Sequence, residues 1–306
     1  MNTTYSLVCR SLRPLSLIGA GFANVAIKRE DGGRGRSLSN ESDIHQQLLA
    51  ARDRQGGALT FAITIWVCYV TADVAEAIVA RFPSGYSPCN MLITERIPPL
   101  PASVRRMLIE EYCHPELPPE LAYSTDSNKH ACLIRPYLGK RRRWFDNTDF
   151  CMFSLRNHPL HLDQLEDLGL DLFTYSRPMA EALAFMHWCA KIDANGVEFV
   201  LAPRTFQRSM PQATLSSVLG DHCLWILDFD CCRPMTMDET GVEQAAAAFW
   251  RNDPYYPRPG QEIGRDVEQW ALFKRSYLTE SVRFIGPKDV NLPRLLLERI
   301  EAKAER

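Results

Sequence analysis

Asp193-Ala194-Asn195-Gly196-Val197-Glu198-Phe199-Val200-Leu201 and, further on, Leu224-Trp225-Ile226-Leu227-Asp228-Phe229-Asp230 decide the reading of this chain. Each is a short apolar run, rich in β-branched and aromatic residues and edged by acids, which is the pattern of a buried strand. Just upstream, Met179, Leu183 and Met186 recur at helical spacing and mark one buried helical face that ends near His187-Trp188. Two strands that carry carboxylates at their ends bring Asp193, Glu198, Asp228 and Asp230 into one cleft. Crowded carboxylates repel, so such a group persists only where a cation, a metal or a shared proton offsets the repulsion. That makes the group a candidate functional site. The plain alternative is that Asp193 and Asp228 cap turns while the other acids face water.

Working outward, helices are expected over residues 243–250, 266–278 and 292–305. On the N-terminal side, residues 5–30 read as one or two strands broken at Gly19-Ala20-Gly21, with Val25-Ala26-Ile27-Lys28 as a short strand ending in lysine. Residues 29–42 read as a Gly-, Arg- and Ser-rich loop, and 42–54 as a helix with Ile44, Leu48 and Leu49 on one side. Residues 58–70 read as one buried strand, and 89–97 as another, closed by Pro98-Pro99-Leu100-Pro101. A helix is expected over 102–113 and a strand over 130–138, which runs into Gly139-Lys140-Arg141-Arg142-Arg143-Trp144. The proline cluster is the expected lobe boundary. It separates a small β-rich lobe (1–100) from a linking segment with the basic run (101–158) and a mostly helical lobe with the acids (159–306).

The chain has 306 residues, 46% hydrophobic and 24% charged, which excludes disorder for its bulk. Lys plus Arg number 35 and Asp plus Glu 37, so a generally basic nucleic-acid coat is excluded and DNA is not an expected partner. Ten cysteines are scattered from Cys9 to Cys232 without a Cys-x-x-Cys pair, as expected of buried thiols in a reducing compartment. Cys113-His114 and His222-Cys223 are adjacent pairs whose side chains point apart, so no metal is expected. The most apolar stretch is 13 residues long, against about 20 for a spanning helix, and no export signal stands at residues 1–20. The expected location is the cytoplasm, without a membrane partner. His187, Trp188 and Trp225 read as core, and Cys231-Cys232 as buried rather than nucleophilic.

The acidic half of the chain resembles the catalytic half of the protein-kinase-like fold. There a helix ends in His, a loop supplies a base Asp, a residue five further on holds metal, and a strand delivers a metal-binding Asp. The resemblance implies an α+β, two-lobed fold with Asp193 as the base and Asp228 as the metal Asp. It also implies Ile18-Gly19-Ala20-Gly21 as the opening of a Gly-rich loop, Lys28 as the nucleotide lysine, Glu41 or Asp43 as its helix partner, and Thr94-Glu95-Arg96-Ile97-Pro98 as the hinge. The chain departs from that pattern at Asn24, at the six residues between Gly21 and Lys28, at Glu198 in place of Asn and at Asp230 in place of Gly.

A second resemblance rests on longer runs. Glu95-Arg96-Ile97-Pro98-Pro99-Leu100-Pro101, Leu133-Ile134-Arg135-Pro136-Tyr137-Leu138-Gly139-Lys140-Arg141-Arg142, residues 193–201, Leu227-Asp228-Phe229-Asp230-Cys231-Cys232 and Asn252-Asp253-Pro254-Tyr255-Tyr256-Pro257-Arg258-Pro259 resemble a large fungal family long labelled a domain of unknown function, with a zinc-finger name. The resemblance implies an arginine-containing cyclodipeptide synthase. Such an enzyme takes arginyl-tRNA and a second aminoacyl-tRNA, uses no cofactor, and releases a cyclic dipeptide (a diketopiperazine) for secondary metabolism. It further implies an acidic motif whose nearest match is Asp193 to Glu198, with Gly196 where a second acid is expected.

The residue chemistry is compatible with that activity. A guanidinium wants carboxylates, which Glu198, Asp228 and Asp230 can supply. Peptide-bond formation from an ester wants a base, for which Asp193 is the candidate, and donors for the oxyanion. The expected catalytic residues are therefore Asp193, Glu198 and Asp228, with Asp230, Asn195 and Lys28 binding substrate. A tRNA partner wants a basic surface with aromatics, and Lys140, Arg141, Arg142, Arg143 and Trp144 form the densest such run, with Arg34, Arg36, Arg105 and Arg106 as second candidates. The plain alternative for that run is a solvated or salt-bridged loop. Against the synthase stand an ATP- and Mg-dependent phosphotransferase and an inactive kinase-like binding module.

Overall fold

In the computed structural model the described residues are 25–30, 37–76, 85, 87–113, 132–142, 155, 157–205, 214–286 and 290–304. They form a mixed α+β fold. The smaller sheet is antiparallel, in the order β1 (Val25–Arg29), β4 (Met91–Glu95), β3 (Trp66–Val70). Helix α1 (Leu38–Gln55) lies against it. The helix starts earlier than its apolar periodicity suggests because Ser37, in extended conformation, accepts a hydrogen bond from the Asn40 N–H and caps it. It stops at Gly56, whose φ of 64° is the left-handed conformation that ends helices.

The larger sheet runs β2 (Phe61–Ile63), β9 (Gly220–Leu227), β7 (Glu198–Ala202), β5 (Ile134–Tyr137), β6 (His158–His161), with β8 (Leu215–Ser217) pairing β9. The apolar run 58–70, expected as one strand, is thus two strands in two sheets. The chain changes sheet at Thr64-Ile65, where the His45 ring nitrogen meets the Thr64 carbonyl at 2.7 Å and Glu95 takes the Ile65 N–H at 3.0 Å. Because β2 pairs in parallel with β9, the expected boundary at 98–101 does not divide the two sheets. The strand β6, parallel to β5, was not expected from sequence, since it is four residues long and carries a proline.

Helix α2 (Ala72–Ala75) packs into the core of the smaller sheet, whereas α3 (Ala102–Tyr112), α4 (Leu162–Asp167), α5 (Leu172–Ala184), α6 (Glu239–Arg251), α7 (Gly264–Ile285) and α8 (Asn291–Ala304) belong to the core of the larger one. None of the helices among the described residues is long and apolar enough to cross a membrane. The face of α5 expected from Met179 and Leu183 is buried and continues into a π-helical turn, Phe185–Cys189. There His187 Nδ1 and Trp188 Nε1 converge on the Tyr277 hydroxyl at 2.9 and 2.7 Å. Burial holds the His187 imidazole down at about 3, so it is a neutral core group as expected.

The site-bearing strands are locked to the helical side through backbone contacts. Leu138 N–H donates to the Tyr255 carbonyl at 3.1 Å and Gly139 N–H to the Pro254 carbonyl at 2.8 Å. The Arg258 guanidinium caps the end of α6 by donating to the Phe249 and Asn252 carbonyls at 2.8 and 3.0 Å. Only glycine fits at 139, because a Cβ there would overlap the Tyr256 carbonyl and the Arg258 side chain. Gly139→Ala is expected to cost about 1–3 kcal/mol through overpacking, read as a lower melting temperature by circular dichroism. An unchanged transition would show the approach to be slack.

Candidate functional site

Strand β1 alternates, with Ile27 buried in the small core and Lys28 aimed the other way. Helix α1 places Glu41 in its first turn, only 5% exposed. Lys28 Nζ lies 2.8 Å from Glu41 Oε2, in direct contact with Asp228 Oδ1, and 3.2 Å from Asp230 Oδ2. Of the two helix acids the sequence left open, Glu41 is therefore the partner of Lys28. Asp228 leaves β9 at a φ of 64°, an unusual conformation for a non-glycine residue that costs about 1–3 kcal/mol and is kept because surrounding contacts impose it. One such contact is Asn40, whose side-chain amide donates to the Asp230 and Cys232 carbonyls at 3.1 and 3.0 Å and ties α1 to this turn.

Three carboxylates thus face one ammonium. Burial opposes the Lys28 charge, but Glu41, Asp228 and Asp230 together outweigh it and raise its pKa. Glu41 is pushed up to about 7 by burial, with Asp228 and Asp230 adding to the shift against Lys28. One oxygen from each of Glu41, Asp228 and Asp230 lies within 4.8 Å of the others, a set able to hold a cation. All-oxygen ligands suit Mg²⁺ or Ca²⁺, whereas structural zinc wants Cys and His.

Glu198 opens β7 and is engaged by Arg135 of β5. Its pKa is raised by burial, against Arg135 and with the charge of Asp228 adding. The expectation that Glu198 waits for a substrate guanidinium is corrected here, since a guanidinium of the chain itself already holds it. Asp193 differs again. Its Oδ1 accepts from the Asn195 and Arg233 N–H groups at 3.1 and 2.9 Å, and its Oδ2 from the Gln244 amide at 2.9 Å. With donors on both oxygens it braces its loop and is not poised as a base. Asn195, expected to bind substrate, instead donates to the Cys231 carbonyl at 3.0 Å and accepts from Arg251 at 3.1 Å. Gly196, with φ 77°, packs on Cys231, where a Cβ would come within 2.8 Å of the cysteine Cβ, so an acid has no room there.

The basic run is also absorbed by the fold. Arg141 grips Asp266 bidentately, Nε–Oδ2 3.0 Å and Nη2–Oδ1 2.6 Å, and reaches Glu166 at 2.6 Å. Arg142 pairs with Asp163 at 2.8 Å. These forks are filled by acids of α4 and α7, so the expected tRNA contact through Arg141 and Arg142 is corrected to an internal salt-bridge network. Lys140 is exposed at the edge of this network, and Arg105 and Arg106 lie on α3. Arg143, Trp144, Arg34, Arg36, Gly19, Gly21 and Asn24 lie outside the described residues. Arg135 was missed as a site residue. Its signal was a charged residue inside the apolar run Leu133-Ile134-Arg135-Pro136-Tyr137.

Residues 224–289 match a family described as "DUF3669: Zinc finger protein". The match holds Asp228 and Asp230 but not Lys28, Glu41, Arg135 or Glu198, and covers well under half the chain. No curated protein and no solved structure matches. The expected membership of the arginine-containing cyclodipeptide synthase family is corrected, because the family match carries a different description and lends that assignment no support. The oxygen-only cluster among the described residues does not resemble a zinc-finger ligand set either.

The raised Glu41 pKa sets a direction for stability. The folded state keeps a proton that the unfolded chain releases near 4.5, so this contribution is complete at low pH and is lost as pH rises towards about 7. Melting curves from pH 4 to 8 should show a wild-type loss over this window that is absent in Glu41→Gln. Parallel profiles for the two proteins would show that Glu41 is ionised throughout.

Proposed function

We propose that this chain is a tRNA-dependent aminoacyl transferase that condenses arginine, delivered as arginyl-tRNA, with a second aminoacyl group into a cyclic dipeptide. We further propose that it does so in a two-lobed, kinase-like arrangement. The observation that carries the reading is the convergence of Glu41, Asp228 and Asp230 on one point beside Lys28. An arginyl ester brings an α-ammonium and a guanidinium, which such a cluster attracts directly. A polyphosphate brings the opposite charge and needs bridging metal ions before it can approach. Lys28 on a strand of the small sheet, its helix partner Glu41, and an aspartate directly after β9 of the other sheet support the kinase-like arrangement.

In this reading the ester carries the activation and no ATP is consumed. One α-ammonium loses its proton, the amine attacks the ester carbonyl of the other residue, and the first tRNA leaves through its ribose oxygen, which takes up a proton. The amine of the dipeptidyl ester then closes the ring in the same way and frees the second tRNA. Glu198 suits the proton acceptor, because its raised pKa brings it nearer to the working pH. Asp193 holds the loop, and Asp228, Asp230 and Glu41 receive the guanidinium.

A second reading, an ATP-dependent phosphotransferase, is favoured by one observation, the ability of Glu41, Asp228 and Asp230 to hold a divalent cation beside Lys28. The two readings separate cleanly. Incubation with charged tRNAs followed by mass spectrometry should yield cyclic dipeptides containing arginine, and calorimetric titration should give no micromolar affinity for Mg-ATP. The reverse pair of results would replace the first reading by the second, and two negatives would leave a binding module. A desolvated hydrogen bond to a charged group is worth about 1.5–3 kcal/mol. Asp228→Asn and Asp230→Asn, assayed at a temperature where circular dichroism shows each variant folded, should each therefore lower arginine incorporation about tenfold to a hundredfold. Undiminished yield from both would remove the acids from the site.

A further inference from the structure

Beside the Lys28 cluster lies a second polar group, of which the proposed chemistry uses only Glu198. Arg135 and Glu198 form an ion pair whose side chains are each 20% exposed. Two donors next to it have no hydrogen-bond partner among the described residues and are shut off from solvent, Arg135 Nε–H and the Tyr255 hydroxyl. The Tyr255 ring is wedged between strands, 5.1 Å from the Tyr137 ring and 5.4 Å from Phe199. Its carbonyl is bonded to Leu138 N–H, so the phenol is fixed in place. It sits close enough to feel both partners of the pair. Burial raises its pKa, the Glu198 charge adds to this and Arg135 opposes it.

The guanidinium of Arg135 meets Glu198 and Tyr137 but leaves its Nε–H unused. Nε–H and Nη2–H of an arginine project from the same edge of the planar group and fit two oxygens side by side. Arg141 shows the filled form of this edge, with both Asp266 oxygens on Nε and Nη2. In Arg135 the same edge holds Glu198 on Nη2 alone. Buried donors without acceptors destabilise a fold, so an oxygen that reaches these two is held strongly.

We infer that Arg135, Glu198 and Tyr255 form the subsite for the α-amino and carbonyl groups of an aminoacyl substrate. Glu198 turns from Arg135 to the substrate ammonium, and the vacated Arg135 edge together with the Tyr255 hydroxyl takes the carbonyl oxygen. One cation replaces another at Glu198, a neutral acceptor oxygen takes the place of the carboxylate at Arg135, and the site gains the single positive charge of the substrate ammonium. The two ends of the pair match the ammonium and carbonyl that every α-aminoacyl ester carries a few bonds apart, so the subsite reads the backbone of the amino acid and not its side chain. This rests on the aminoacyl-transferase reading and adds to it where the substrate is held.

The test uses glycinamide, which has the ammonium and the carbonyl but no side chain, with binding to the full chain followed by saturation-transfer NMR. Wild type is expected to bind it. Tyr255→Phe is expected to weaken it at least tenfold while raising the melting temperature, because the variant loses a buried hydroxyl that has no partner in the unliganded protein. Arg135→Gln should abolish binding. Should that variant fail to fold, Tyr255→Phe alone decides the matter. Absence of glycinamide binding to wild type, or equal affinity in wild type and Tyr255→Phe, would overturn the subsite even if cyclic dipeptides form. Glycinamide binding that responds as expected, in a protein that makes no product from charged tRNAs, would keep the subsite and overturn the proposed function instead.

Discussion

The contact between Lys28 and its three acids is the constraint on which the rest of the site depends. It joins a strand of the small sheet, the first turn of α1 and the turn after β9, which come from distant parts of the chain. An ammonium at this depth is tolerated only because carboxylates surround it, and the carboxylates are tolerated only because the ammonium is there. Removing either side leaves buried charge without compensation. The left-handed backbone at Asp228 and the Asn40 clamp on the same turn are local consequences of holding that arrangement.

Around this centre the acids separate into groups with different work. Asp193 accepts from its own loop, from the Arg233 N–H and from α6, and its role is to fix the path of residues 193–196 against 231–234. Glu198 is held by the Arg135 guanidinium. Glu41, Asp228 and Asp230 are the acids that converge on Lys28. Electrostatics of this kind favours a cationic group or a metal ion, and it is the common ground of the two functional readings. Where an arginine edge is filled, as at Arg141, the chain is holding itself together. Where it is half filled, as at Arg135, something else is wanted.

The strands bearing Glu198 and Asp228 were legible because their apolar runs are bounded by acids and turns, and the face of α5 because Met179 and Leu183 keep helical spacing. The break at Thr64-Ile65 was not. An uninterrupted β-forming run carries no local mark of changing sheets, and the change is imposed by His45 and Glu95 from elsewhere. The choice between Glu41 and Asp43 was equally hidden, since both lie in the same turn and only the direction of α1 relative to β1 decides which reaches Lys28. The basic run misled because its acid partners are distant in sequence.

The sequence by itself determined the mixed class of the fold, the positions of most strands and helices and the supply of acids near two strand ends, because periodicity and turn chemistry are local properties. Only the tertiary structure decided which charges meet. Ion pairs such as Lys28–Asp228, Arg135–Glu198 and Arg141–Asp266 bridge long sequence separations, and their strength depends on distance and burial, neither of which is written in local composition.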